Sequence, residues 1–260
     1  MNTAVPPAVD GRSVHTSVIS PAYSVVIPCY NERDNIVELA REVRAACGDG
    51  DYEIVIVDDC SSDDSVARLQ AVQGEFDGRL RVVRHGTNSG QSAAICTGVD
   101  FARGKAIVTL DGDGQNDPAD IPCLLSTLQQ AEQGTPLIVC GHRRQRRDSF
   151  VRRLSSKVAN AVRAAALQDA TPDTGCGLKA LERELFMRLP RFNHMHRFLP
   201  ALVQRAGGRS VSVEVHHRPR LHGQSKYGIG NRLWVGIVDL FGLMWLIRRR
   251  FKPSRNEEVR

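Results

Sequence analysis

The chain has 260 residues, 42% of them hydrophobic, and a formal net charge of +6. That length and apolar fraction support one full core, alone or with an appendage. Only 5% of residues are aromatic, and no basic-plus-aromatic stacking platform is present, so no nucleic-acid partner is expected. The cations are clustered: Arg143, Arg144, Arg146, Arg147, Arg152 and Arg153 form one run, Arg248, Arg249, Arg250, Lys252 and Arg255 another. Clusters of this kind imply an anionic partner such as a diphosphate or an acidic membrane surface. The seven cysteines are odd in number and lack any C-x-x-C spacing. They read as reduced cytosolic thiols, which excludes a disulfide frame or a zinc site.

In chain order, residues 1–20 are mixed polar with prolines and carry no apolar h-region. They read as a flexible arm without a signal peptide, so the chain is not expected to be secreted. Residues 23–28 form a β-rich run, followed by Asn31, Glu32 and a helical pattern to about Ala46. Residues 52–59 form a second strand ending in acids, and residues 61–64 offer an N-cap for a helix reaching about Val72. A third strand over 80–84, a third helix over 89–102 and a fourth strand over 106–110 continue the alternation. Strands alternating with helices of this length indicate a doubly wound, mostly parallel α/β sheet. In such sheets ligands bind beyond the carboxyl ends of the strands, and Tyr30, Asp59 and Asp111 all fall at those ends.

Further along, residues 137–140 read as a strand leading into the arginine-rich segment, with a helix over about 150–167. A turn-rich loop over 171–177 follows, then a helix beginning near Leu181. Residues 211–215 alternate cleanly and read as a sheet-edge strand. The apolar run over 233–247 is roughly 15 residues long, short of the ~20 that a spanning helix needs. Asp239 lies inside it, Trp234 and Trp245 bracket it, and arginines close it. It reads as an amphipathic appendage in the headgroup region of an anionic leaflet, or else as a buried helix packed on the sheet. The domain division is therefore an arm over 1–20, a catalytic domain over 21–228 and a helical appendage over 229–260.

The most informative segment runs from Val108 to Pro118. A buried strand leads into Asp111 and Asp113, with Gln115 beyond and a proline-started helix after that. Residues i and i+2 of an extended segment point the same way, so the two carboxylates can converge on one hard cation. Magnesium or manganese held in this way keeps open positions that a diphosphate can fill. A solvated turn is the other reading of the carboxylate pair taken alone. The histidines His194, His196, His216, His217 and His222 lack metal spacing on a helix, and none is assigned as a ligand.

Four motifs stand in order: Pro28-Cys29-Tyr30-Asn31-Glu32; Val57-Asp58-Asp59-Cys60-Ser61-Ser62-Asp63; Asp111-Gly112-Asp113-Gly114-Gln115; and Arg220-Leu221-His222-Gly223-Gln224-Ser225-Lys226. The series resembles the family 2 inverting glycosyltransferases of the GT-A fold. Within them it is most similar to the polyprenyl-phosphate sugar transferases, the dolichol-phosphate mannose synthase-like group. The likeness spans about residues 23–227.

The resemblance implies a nucleotide-diphosphate sugar donor, with Pro28, Tyr30, Glu32, Val57 and Asp59 around the base and ribose. It implies Mg2+ or Mn2+ on Asp111, Asp113 and Gln115, and Gly112 beside the donor. Arg143, Arg220 and Lys226 would meet donor or acceptor phosphates, and the loop carrying Arg220 and Lys226 would close over the donor. Asp173 would lie beneath the sugar, accepting a hydroxyl or only shaping its turn. Asp111, Asp113, Arg220, Lys226 and Asp173 are thus the catalytic candidates. The implied acceptor is a polyprenyl phosphate, and the implied location is the cytosolic side of a membrane. Many members of that group carry clear C-terminal transmembrane helices. This chain has only the short apolar run, so contact would be peripheral or would involve a small integral membrane partner. A saccharide or other hydroxyl acceptor remains an alternative, as does a silent nucleotide-sugar or membrane-binding module. A phosphate nucleophile is already anionic and needs no base, whereas a hydroxyl would need a carboxylate such as Asp173.

Overall fold

The computed structural model describes residues 20–131, 134–143, 171–219 and 229–249. Strands β1 (Tyr23–Cys29), β2 (Tyr52–Asp58), β3 (Leu80–Arg84) and β4 (Ala106–Thr109) alternate with helices α1 (Ile36–Cys47), α2 (Ser65–Val72) and α3 (Gln91–Phe101). After β4 come α4 (Ile121–Gln129), β5 (Leu137–Arg143) and β6 (Lys179–Glu182). The chain continues through α5 (Arg183–Arg188), α6 (Leu199–Arg205), β7 (Arg209–Val215) and α7 (Ile229–Arg248). The seven strands form one sheet in the order β3-β2-β1-β4-β6-β5-β7. Only β6 runs against its neighbours, pairing antiparallel with β4 and β5.

The period-2 alternation of the central strands builds two cores. Val25, Ile27 and Cys29 of β1 face the layer of α1, α2 and α4, through Leu39, Leu69 and Leu124. Val26 faces the layer of α3, α5 and α6, through Val99, Phe186 and Leu202. Strands covered on both faces read as nearly continuous apolar runs, and every residue of β2 is buried. β7 pairs with β5 alone and alternates in exposure, as expected of residues 211–215.

Several boundaries differ from expectation by a few residues. The strand expected over 137–140 continues to Arg143, which places that side chain at the strand end. Leu181 does not begin a helix. Residues 179–182 form β6, and the helix starts at Arg183. A four-residue strand with a charged residue at each end, Lys179 and Glu182, gives too little periodicity to distinguish from a helix. The C-terminal helix is described over Ile229–Arg248 and takes in the whole apolar run. The expected helix over 150–167, residues 1–19 of the arm expected over 1–20, and Arg144, Arg146, Arg147, Arg152 and Arg153 lie outside the described residues.

Candidate functional site

β1 and β2 run parallel and in register, with Cys29 opposite Asp58, and the Asp59 N–H donates to the Cys29 carbonyl at 2.8 Å. Both chains then turn out of the sheet at left-handed residues, Asn31 (φ 52°) and Cys60 (φ 62°). The two loops are tied together. The Asn31 N–H donates to Ser61 Oγ at 2.8 Å, Asn31 Oδ1 accepts from the Ser62 N–H at 2.8 Å, and the Glu32 N–H donates to Ser65 Oγ at 3.1 Å. This brings Pro28, Tyr30, Glu32 and Asp59 to one rim. Tyr30 is 38% exposed, and Glu32 accepts from Asn35 Nδ2. Val57 differs: its side chain is fully buried in the core under α3, so only its backbone reaches the rim.

Asp59 has a structural task. Its Oδ1 accepts from the Ser89 N–H at 2.8 Å and lies 2.7 Å from His85 Nδ1, and its Oδ2 accepts from the Gly90 N–H at 2.7 Å. The carboxylate therefore holds the entry to α3, where orphan N–H groups and the helix dipole favour negative charge.

The carboxylate loop follows β4. Gly112 lies against β1, where an added Cβ would stand 2.6 Å from the Pro28 carbonyl oxygen. Asp111 is tucked inward. Gln91 Nε2, at the first residue of α3, donates to its Oδ1 at 2.8 Å, and its carboxylate rests on the backbone of Gly177. Burial pushes its pKa up to about 6, and the neighbouring Asp113 adds to the rise against the pull of Lys179, Arg143 and Gln91. Asp113 Oδ1 accepts from the Gln115 N–H at 3.1 Å, the local turn that places Gln115 beside the pair. Two carboxylates, one desolvated by its surroundings, together with an amide oxygen form a hard-oxygen set suited to Mg2+ or Mn2+. Among the described residues no three His, Cys, Asp or Glu side chains gather in a metal-binding cluster, and here the third donor would be the Gln115 amide.

Asp173 and Arg143 are brought together. Arg143 Nε and Nη2 donate to the two Asp173 oxygens at 2.7 and 2.9 Å. Both side chains are largely buried. Burial opposes the charged guanidinium, but Asp173 outweighs it and raises the Arg143 pKa.

Sequence reading missed four neighbours. Gln91 and Gly177 hold Asp111. Lys179, 3% exposed in β6, donates to the Cys176 carbonyl oxygen. His196 pairs with Ser92, the residue after Gln91, at 2.7 Å. Lys179, standing directly before the apolar Ala180 and Leu181, was the available signal, since a buried ammonium needs a partner. Gln91 and His196 carry no motif of their own.

Arg220 and Lys226 lie outside the described residues, as does His222. The chain leading to them is fastened at the carboxylate loop. The Arg218 N–H donates to the Gln115 carbonyl at 2.9 Å, and the Arg218 guanidinium pairs with Asp117 at 2.6 Å and Glu42 at 2.7 Å. His216 accompanies it through two contacts to Asp120.

The chain is similar to several known proteins. The dodecaprenyl-phosphate galacturonate synthase of Rhizobium johnstonii is 35% identical over 98% of this chain and 75% of its own length. The undecaprenyl-phosphate 4-deoxy-4-formamido-L-arabinose transferase of Proteus mirabilis is 35% identical over 78% of this chain. The match spans 62% of that relative's length. Among solved structures, glucosyl-3-phosphoglycerate synthase from Mycobacterium tuberculosis, in complex with Mn2+, uridine diphosphate and glucosyl-3-phosphoglycerate, superposes with a TM-score of 0.64. That likeness covers 87% of this chain and 80% of the other at 22% identity, and it shows the shared GT-A fold. The family described as Glycosyl transferase family 2 matches residues 24–189, a span that contains the β1–β2 rim, both carboxylates of the Asp111–Asp113 loop and the Arg143–Asp173 pair, and the chain belongs to it.

Proposed function

We propose that this glycosyltransferase moves a sugar from a nucleotide-diphosphate donor to a polyprenyl phosphate, with Mg2+ or Mn2+ held by Asp111, Asp113 and Gln115. The observation that carries the reading is the Asp111 carboxylate, desolvated and seated between Gln91 and Gly177, beside a second carboxylate. Relatives at 35% identity are named for transfer to dodecaprenyl and undecaprenyl phosphate, and fold neighbours are bound to uridine diphosphate with Mn2+ or Mg2+. A bound divalent ion would offset the charge that develops on the leaving nucleoside diphosphate.

The rim of Pro28, Tyr30, Glu32 and Asp59 would take the base and ribose, and Arg220 and Lys226 would add cationic contacts to the diphosphate. A lipid phosphate arrives anionic, so the protein has to align it and exclude water rather than deprotonate it. The Arg143–Asp173 pair favours this acceptor over a hydroxyl. Asp173 is the carboxylate that a hydroxyl acceptor would require as base, and both its oxygens are committed to the Arg143 fork.

Delivery of such a lipid calls for a membrane-facing surface. α7 packs on the body through Leu240, Leu243, Met244, Leu246 and Ile247. Its other side exposes Val238, Phe241 and Trp245 at 54%, 65% and 63%. Arg248 and Arg249 follow, both exposed. No described helix is long and apolar enough to cross a membrane. A helix lying flat, with its apolar side in the headgroup region and its arginines on anionic lipid, fits this pattern. The cytosolic leaflet is the proposed location.

The test is incubation of the purified chain with undecaprenyl phosphate, Mg2+ and a panel of labelled GDP- and UDP-sugars. Label extracted into the organic phase with one donor, and lost in Asp113→Ala, is the expected result. Donor cleavage only when sugar acceptors are supplied would instead select the hydroxyl-acceptor reading.

A further inference from the structure

One short turn joins the C-terminal helix to the carboxylate loop. His194 has a left-handed φ of 64°, and its Nδ1 lies 3.0 Å from Asp239 Oδ2. Asp239 is the only acidic residue of α7. Two residues on, His196 Nδ1 lies 2.7 Å from Ser92 Oγ, and the His196 N–H donates to the same oxygen at 3.3 Å. Between them Met195 is buried and touches Cys96 of α3 through sulfur at 3.5 Å. Ser92 directly follows Gln91, whose Nε2 donates to Asp111 Oδ1 at 2.8 Å. From α7 to Asp111 the contacts are therefore continuous.

Two features of this path call for a reason. An acid in the middle of an apolar helix is costly unless it is paired. A side-chain-bearing residue in the left-handed region persists only where its surroundings over-determine it. The His194–Asp239 contact answers both, because the pair fixes the turn against α7 while His196 fixes it against α3.

We propose that the turn over 193–197 is a strut through which the seating of α7 holds the first turn of α3, and with it Asp111, in place. Asp239 is then a positioning residue for the donor site, although it lies on the C-terminal helix. This deepens the proposed function, and it rests on the reading that Asp111 carries the donor's metal. A helix that docks on membrane with one face and steadies a metal ligand through the other couples lipid engagement to donor binding.

The experiment compares the full chain with Asp239→Asn and His194→Gln, and with Gly242→Ala as a change at an exposed position of the same helix where an added Cβ meets nothing within 4 Å. Amide hydrogen exchange and Mn2+ binding, followed by electron paramagnetic resonance, are measured on each. The expected result is exchange at residues 89–92 at least tenfold faster in Asp239→Asn and His194→Gln, with strands β1 to β3 unchanged. Mn2+ affinity should fall about tenfold, and Gly242→Ala should match the unaltered chain. Unchanged exchange at 89–92 overturns the strut, as does acceleration spread evenly over the sheet, which would mark a general loss of stability. If Asp239→Asn fails to fold, Asp239→Glu and His194→Gln decide by the same criteria. Failure of the unaltered chain to bind Mn2+ would overturn the metal reading, while the exchange comparison would still decide whether the strut exists.

Discussion

The Asp111 carboxylate lies so close to Gly177 that a Cβ on residue 177 would fall 2.2 Å from both its Cγ and its Oδ2. Glycine at 177 is thus a condition for where Asp111 sits. Gly177→Ala should push the carboxylate off Gln91 and away from Asp113. A displacement of about 1 Å at a reacting centre costs on the order of a hundredfold in rate. The expected outcome is that loss of sugar transfer together with weakened Mn2+ binding, at a stability cost of about 1–3 kcal/mol. Steady-state kinetics beside a denaturant melt would show it, and a fully active Gly177→Ala would mean that Asp111 can leave its seat without consequence.

The Arg143–Asp173 pair is largely buried, so removing one partner leaves a charge with lost solvation and a lost counter-charge. Breaking such a pair costs about 3–5 kcal/mol, whereas replacing both partners by apolar residues is often nearly neutral. Asp173→Asn should therefore lower stability by a few kcal/mol, and Arg143→Met with Asp173→Leu should recover most of it. If acceptor deprotonation by Asp173 drives the reaction, Asp173→Asn would abolish turnover on hydroxyl acceptors while barely slowing transfer to a phosphate. Melts of the two variants and assays of Asp173→Asn on both acceptor classes separate the structural role from the chemical one.

What was legible in the sequence was the part written in local pattern. The apolar runs of β1, β2 and β4, the polar loops at their ends and the spacing of Asp111, Asp113 and Gln115 reflect the rule that a parallel sheet buries both faces and presents its ligands at strand ends. The contacts that seat Asp111 were not legible, because Gln91 and Gly177 lie 20 and 66 residues away from it and meet it only once α3 has packed on the sheet and β6 has paired with β4. β6 escaped for a similar reason, its hydrogen bonds being made wholly with strands distant in sequence. Asp239 looked foreign within an apolar run because its partner, His194, stands in a turn that sequence pattern does not connect to α7. The apolar run itself was open between a membrane-surface helix and a packed one. The structure packs one side of α7 on the core and exposes apolar groups on the other.

The exposed side of α7 makes a prediction about lipid. Fully burying an apolar side chain gains about 1.5–3 kcal/mol, and each basic group near an anionic surface adds about 1 kcal/mol. Replacing Phe241 and Trp245 together by serine should reduce binding to phosphatidylglycerol vesicles by about a hundredfold, with partial insertion allowed for. Binding of the unaltered chain should weaken as salt rises, because arginines such as Arg248 and Arg249 act through screened charge. Vesicle co-sedimentation against phosphatidylcholine controls checks both. Equal binding to neutral and anionic vesicles would remove the electrostatic part of the argument, and undiminished binding of the double variant would move the contact elsewhere.

His196 sets a pH dependence of stability. Burial holds its pKa well below the usual histidine value, and Arg197, Lys179 and His194 push the same way. The imidazole is therefore neutral in the folded chain, with Nδ1 against Ser92 Oγ. Once unfolded, the group titrates near 6.5. Below that pH the unfolded state binds a proton that the folded state refuses, so its contribution is present above about 6.5 and is lost as pH falls. One such group changes stability by at most about 1.4 kcal/mol per pH unit. His196→Gln keeps a hydrogen-bonding partner for Ser92 without the titration, and Asp111 contributes its own dependence to both chains alike. The difference between their denaturation free energies from pH 7.5 to 5 should shift steadily in favour of His196→Gln as pH drops. A flat difference would mean that the imidazole takes up its proton inside the fold.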